Sequence, residues 1–314
     1  MNTVLEILGL LIGFALLIKG ADIFVDASVN ISYRLKIPTI VVGLTIVALG
    51  TSSPEAVISI SASLTGHNTM AVGNVIGSNI FNLLLVIGFC AMVKPIAVRL
   101  KEIARDYWVS TGAAVLLLAM MFIFNDSIPR LGGVVLLTVF FTYIVTLVIQ
   151  ALKNRVEEDD TKNRETVPLP RNILLAVFGI ALLVAGGQLT VNSGTNLAVT
   201  LGITERIIGL TILAMGTSLP ELIISLVACR KNENDIAIGN IVGSNIFNIL
   251  FVLGISGIIT PLTVDINMIF DLSILVISSL AFFLFAYTGK RVVRLEGLSL
   301  VAIYAVYLIW IIST

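Results

Sequence analysis

The chain has 314 residues, 57% of them hydrophobic and only 12% charged, with a mean hydropathy of +1.06. A soluble domain carries about 25% charge, so the composition excludes an ordinary soluble fold and specifies an integral protein of a lipid bilayer. Net charge is zero with no basic block, which argues against nucleic acid as a partner, and the two cysteines, Cys90 and Cys229, lie in or beside apolar runs where no disulfide framework is expected.

The opening stretch MNTVLEILGLLIGFALLIKG has no basic region ahead of its apolar core, so it reads as a first membrane span and not a cleaved signal peptide. Apolar stretches of roughly the 20 residues that a bilayer helix needs fall at 4–28, 38–65, 70–94, 107–124 and 131–152. They resume at 171–198, 206–229, 235–259, 267–287 and 295–313, giving ten expected spans in an all-α membrane protein. With the N-terminus outside, fifteen Lys and Arg fall in inner loops and only Arg130 and Arg206 in outer ones. By the positive-inside rule both termini then face out.

The polar segment 153–170 divides the chain into a first five-helix unit, 1–152, and a second, 171–314. Its acidic run Glu157, Glu158, Asp159 and Asp160 reads as solvated cytoplasmic linker and not as a calcium site, because no turn glycine lies within it to shape an oxygen cage.

Displaced by 166 residues, the chain overlays itself. VVGLTIVALGTSSPEAVIS at 41–59 matches IIGLTILAMGTSLPELIIS at 207–225, and AVGNVIGSNIFNLLLVIG at 71–88 matches AIGNIVGSNIFNILFVLG at 237–254. Five spans separate each motif from its copy, so the second copy crosses the bilayer in the opposite sense. Inverted repeats of this kind belong to secondary transporters, which bind their cargo near the midplane between the halves.

Pro54 and Pro220 fall mid-span. Each lacks an N–H and clashes with the carbonyl four residues back, so carbonyls in that region, those of Ala48 and Ala214 included, become available as ligands. Broken backbone at membrane depth survives only where it lines a cavity or is buried in protein. The oxygen-bearing residues along the motifs are Thr51, Ser52, Glu55, Ser78 and Asn82, with Thr217, Ser218, Glu221, Ser244 and Asn248 as their copies. Residues 51 and 55 share a helix face, as do 78 and 82. With no thiolate or imidazole, such a set suits hard cations such as Ca²⁺ and Na⁺.

Glu55 and Glu221 are the acids nearest the bilayer centre, and the four motif spans hold Lys or Arg only at their ends, Lys94 and Arg206, with none inside to pair them. Acids so placed are functional candidates. Together they balance one Ca²⁺, and without a cation two such charges favour a proton, so H⁺ is expected to compete. Glu6, Asp22, Asp26, Asp265 and Asp271 lie nearer span ends and read as interfacial. GNVIG and GNIVG are also small-xxx-small packing patterns, and the Ser and Thr residues can bond their own backbone.

GTSSPE with GNVIGSNIFN, and GTSLPE with GNIVGSNIFN, resemble the paired signature repeats of the sodium/calcium exchangers, in the cation/calcium exchanger superfamily, in their prokaryotic form. The resemblance implies a multi-pass antiporter of the plasma membrane that needs no cofactor. Glu55 and Glu221 would be central calcium ligands, helped by Thr51 and Thr217. Ser52, Ser78, Ser218 and Ser244, with the carbonyls of Ala48 and Ala214, would form flanking sodium sites. Asn82 and Asn248 would line the middle. It also implies that the first and sixth spans slide over the rest to alternate access.

Several relatives carry aspartate where this chain has Asn248, so dependence on potassium is not expected. The proton-coupled branch has asparagine in place of Thr-Ser in GTS.PE, and both copies here keep Thr-Ser, which favours sodium as the driver. Ca²⁺/H⁺ exchange stands as the alternative. A cation channel fits an inverted repeat less well. An enzyme has no support, since the only histidine, His67, lies in an outer loop and the sequence shows no nucleophile–base pair. One chain carries both halves of the site, so a monomer is expected to suffice.

Overall fold

The computed structural model describes residues 3–124, 127–153, 168–203, 214–263 and 267–313. Outside these lie the acidic run 157–160 with most of the expected linker, Arg206 with the start of the span expected from 206, and Asp265.

Among the described residues, eight continuous helices are long and apolar enough to cross a membrane. They are α1 (Thr3–Leu35), α4 (Asn68–Val93), α5 (Leu100–Ile123), α6 (Arg130–Lys153), α7 (Leu169–Thr200), α10 (Asn234–Ile259), α11 (Asn267–Gly289) and α12 (Arg294–Ser313). A ninth crossing is broken: α2 (Thr39–Thr51) and α3 (Ser53–Leu64) meet at a 51° bend. The span expected at 206–229 is represented by α8 (Ala214–Thr217) and α9 (Leu219–Arg230), interrupted at the equivalent residue.

Most boundaries differ from expectation by only a few residues. The exceptions are α1, which runs seven residues beyond its apolar stretch, and α5, which starts seven residues before it. At the end of α1, Lys36 takes a left-handed φ of 56° ahead of Pro38, which stops the helix. The equivalent position after α7 is Gly202, φ 78°. The turn after α3 uses Gly66, φ 81°, and its copy after α9 uses Asn232, φ 67°. Gly and Asn are the residues that adopt this conformation at least cost, so the 166-residue repeat extends to backbone dihedrals.

Contacts between the halves recur with the roles exchanged. Along the α1–α7 seam Gly13 meets Gly186 and Gly20 meets Gly179, and Gly179 and Gly186 are the copies of Gly13 and Gly20. The partner number falls as the residue number rises, so the two helices run antiparallel about a two-fold relation. Gly88 packs on Gly297 of α12, and its copy Gly254 faces α6, whose Gly133 lies against the Gly254 carbonyl. Two short antiparallel ribbons obey the same rule. Strand β1 (Ile96–Ala97) pairs with β4 (Arg291–Val292), and β2 (Ser127–Ile128) with β3 (Leu262–Thr263). Each joins loops expected on one side of the bilayer.

Burial separates the core from the rim. The most apolar windows of α4 and α10 are 78% and 83% buried inside the protein, against 22% for α1 and α12, so the two motif helices form the centre. Outward-facing apolar residues such as Leu11, Phe141, Leu174 and Val306 form a surface suited to lipid. Cys90 and Cys229 are free and buried.

The acids read as interfacial are accommodated near helix ends or by polar partners. Lys231 Nζ lies 2.6 Å from Asp22 and 2.7 Å from Asp26. Glu6 accepts from Asn196 Nδ2 at 3.2 Å, and Asp271 accepts from Tyr307 Oη at 2.9 Å.

Gly243 tests how tightly α2 lies on α10. A Cβ there would meet the Leu44 carbonyl at 2.7 Å and Ala48 Cβ at 2.8 Å. Gly243→Ala is expected to destabilise by about 1–3 kcal/mol. Gly112 is exposed inside α5, with nothing within 4 Å of an added Cβ among the described residues, so Gly112→Ala should be neutral or stabilising by up to about 1 kcal/mol. Thermal unfolding of the purified proteins in detergent distinguishes the two.

Candidate ion-binding site

The site grows from the two helix breaks. At the first, Ser52 (φ −84°, ψ 8°) leaves the helical region between α2 and α3, and at the second Ser218 (φ −91°, ψ 8°) does so between α8 and α9. Pro54 and Pro220 sit in the first turn of the new helices, where a missing N–H costs nothing. Glu55 and Glu221 occupy the same first turns. Unpaired N–H groups and the helix dipole favour a carboxylate there.

Ser-x-x-Glu at a helix start ordinarily closes a capping box on itself. Here neither serine caps its own helix. Instead Ser52 Oγ donates to Glu221 Oε1 at 2.9 Å, and Ser218 Oγ donates to Glu55 Oε1 at 3.1 Å. The threonines cross in the same way: Thr217 lies beside Glu55, and Thr51 beside Glu221. Each carboxylate is therefore positioned by the opposite half.

The motif helices supply the surrounding shell. Thr51 Oγ1 lies 3.0 Å from Asn240 Oδ1, 3.1 Å from the Ala48 carbonyl and 3.3 Å from Ser244 Oγ. Ser78 Oγ donates to the Val75 carbonyl and accepts from Asn248 Nδ2 at 3.1 Å. The Ala48 carbonyl also accepts from Ser52 N at 3.0 Å. Ala214 begins α8, one turn before the second break. Among the residues predicted from sequence, these contacts link Thr51 with Ala48 and Ser244, Ser52 with Glu221, Ser218 with Glu55, and Ser78 with Asn248. Glu55, Glu221, Ser52, Ser218, Ser244, Asn82 and Asn248 are all 0% exposed. Thr51 is buried, whereas its copy Thr217 is half-buried.

Four asparagines and two serines join the site that the oxygen count along the motifs passed over. Asn74 Nδ2 donates to Ser59 Oγ at 2.9 Å, and its copy Asn240 donates to Ser225 Oγ at 3.0 Å, tying each broken helix to the motif helix of its own half. Asn79 and Asn245 link α4 to α10. All six recur at the 166-residue offset, and that recurrence was the signal available in the sequence.

Among the described residues, the buried site oxygens with no hydrogen-bond partner are Glu55 Oε2, Glu221 Oε2, Asn82 Oδ1 and Asn248 Oδ1. They form two repeat-related pairs, one carboxylate and one amide from each half. Among the described residues neither glutamate pairs with Lys, Arg or His. An isolated ionised carboxylate in an apolar interior is too costly to persist, so this set calls for a bound cation or protons. Oxygen donors alone suit hard cations. Nor do three or more His, Cys, Asp or Glu side chains gather anywhere among the described residues.

The description "Sodium/calcium exchanger protein" matches the chain twice, over residues 5–149 and 171–313. The sodium/calcium exchanger MaX1 of Methanosarcina acetivorans is 32% identical over 339 residues, covering 96% of each chain. The inner membrane protein YrbG of Escherichia coli is 37% identical over 263 residues, covering 82% of this chain and 80% of its own. Among solved structures, the sodium-calcium exchanger NCX_Mj soaked with 2.5 mM Na⁺ and 10 mM Sr²⁺ superposes with a TM-score of 0.84 at 31% identity, over 97% of this chain and 98% of that one. The chain belongs to the sodium/calcium exchanger family, whose members are cation antiporters of the membrane.

Proposed function

We propose that this protein exchanges Ca²⁺ for Na⁺ across a prokaryotic plasma membrane by alternating access, binding its ions between two inverted repeats. The observation that carries the reading is the set of four unpartnered oxygens on Glu55, Glu221, Asn82 and Asn248. Two carboxylates balance either one Ca²⁺ or two Na⁺, so the two cations compete for the same charge. The hydroxyls of Thr51, Thr217, Ser52, Ser218, Ser78 and Ser244, with the carbonyls of Ala48 and Ala214, surround that centre as further oxygen ligands. No cofactor is required, since the ions are cargo.

The architecture that goes with this reading has ten spans, five in each unit (1–152 and 171–314), with a cytoplasmic linker at 153–170 and both termini outside. It is supported by the family match falling separately on residues 5–149 and 171–313, by the charge bias of the loops, and by ribbons that join loops expected on one side. Alternation is carried by α1 and α7, whose glycine seam lets the pair move as a unit over the motif helices. A monomer suffices, because each half completes the other within one chain.

Reconstituted into proteoliposomes loaded with Na⁺, the protein should take up Ca²⁺ when Na⁺ is diluted outside. Uptake that follows an imposed proton gradient and ignores sodium would replace the reading with Ca²⁺/H⁺ exchange. Glu55→Gln and Glu221→Gln each leave half the charge, and removing one buried partner costs about 3–5 kcal/mol. A loss of Ca²⁺ affinity on the order of 100-fold or more is expected in equilibrium ⁴⁵Ca²⁺ binding to each variant, and unchanged binding would refute the site.

Protons occupy the same carboxylates, so Na⁺-driven Ca²⁺ uptake should fall as the medium is acidified from about pH 8 to about pH 5. A flat profile over that range would show that protons do not enter this site.

A further inference from the structure

Four buried asparagines link α4 to α10. Asn82 Nδ2 donates to Asn245 Oδ1 at 3.2 Å, and Asn248 Nδ2 donates to Asn79 Oδ1 at 3.2 Å. The pairs are two-fold copies of one another, because Asn245 is the copy of Asn79 and Asn248 that of Asn82. Asn79 Nδ2 also donates to the Asn245 backbone carbonyl at 3.2 Å.

A carboxamide is chemically two-ended: one end donates and the other accepts. Rotated by half a turn, Asn82 or Asn248 would present N–H donors where its oxygen now lies, and such donors repel a cation. The nitrogen ends are committed to Asn245 and Asn79, and the oxygen ends are the ones left without a partner. We infer that Asn79 and Asn245 are positioning residues that hold the site amides with oxygen toward the ion. This inference rests on the proposed ion site.

The two halves are not equally secured. Asn248 Nδ2 has a second acceptor, Ser78 Oγ at 3.1 Å. The copy of that serine, Ser244, is instead 3.3 Å from Thr51 Oγ1. Asn82 therefore relies on Asn245 more than Asn248 relies on Asn79.

The test is equilibrium ⁴⁵Ca²⁺ binding to the purified full-length protein in detergent, with Na⁺ displacement. Asn245→Ala should weaken Ca²⁺ binding about tenfold, and Asn79→Ala by less. In an Asn82→Asp background both terminal atoms are oxygens and orientation no longer matters, so adding Asn245→Ala should change binding less than about threefold. Asn245→Asp keeps the acceptor and the shape, and should bind Ca²⁺ at least as well as the parent. It also serves if the alanine variant does not fold. An equal loss from Asn245→Ala in both backgrounds would reduce Asn245 to a packing role and overturn the inference. Parent-like binding by Asn245→Ala, or loss of binding in Asn245→Asp, would overturn it too. Failure of the site reading shows separately, as unchanged binding in Glu55→Gln and Glu221→Gln.

Discussion

Glu55 is held by Ser218 and Glu221 by Ser52, so each carboxylate takes its hydrogen bond from the other half of the chain. This exchange makes neither half complete alone. Broken helices, buried motif spans and glycine-lined crossings are what bring two N-terminal turns from opposite directions to one point. Proline supplies the break, and a serine released from capping its own helix supplies the reach. Glycine lets the flanking helices approach closely, as where Gly239 of α10 comes within 3.0 Å of a Cβ placed on Gly43.

Much of this was legible in the sequence, for a physical reason. A membrane span tolerates proline and glutamate only under strong compulsion, so their recurrence 166 residues later stood out against an apolar background. The glutamates, the serines and the two asparagines at 82 and 248 were found that way, as were most span boundaries. The swap of hydrogen bonds between halves was not legible. Ser-x-x-Glu looks the same whether it caps its own helix or a neighbour's carboxylate, because the pattern records spacing along one chain and not proximity across two. Asn79 and Asn245 escaped for a related reason. They lie one turn before 82 and 248 and bond chiefly to other amides, so a search for cation ligands has no cause to select them. The extension of α1 to Leu35 was hidden because hydropathy marks where the bilayer ends, whereas Pro38 and the left-handed Lys36 mark where the helix ends.

The two-fold relation holds in the seams, the ribbons and the carboxylate bonds, but it lapses at four places among the described residues. Thr51 is buried while Thr217 is half-buried, and Gly73, Asn74 and Gly77 of α4 are half-buried where Gly239, Asn240 and Gly243 of α10 are buried. Ser78 accepts from the asparagine of the other half, whereas Ser244 pairs with a threonine. Lys231 pairs with Asp22 and Asp26, whose copies Gln188 and Asn192 carry no charge.

Under the alternating-access reading proposed above, these lapses have a direct energetic meaning. If the halves were identical, exchanging their roles would yield two states of equal energy, and the empty carrier would populate both alike. Any contact present in one arrangement alone then sets the ratio directly. The Lys231 cluster joins α1 to the end of α9 through partly exposed groups, where an ion pair contributes up to about 1 kcal/mol. That is about fivefold in population, enough to bias the resting state without preventing the other. The hydrogen bonds that hold the carboxylates occur in both halves, so they support the site without favouring a side. In that reading the symmetric hydrogen bonds hold the carboxylates, and the Lys231 cluster, which has no copy in the other half, biases the resting state.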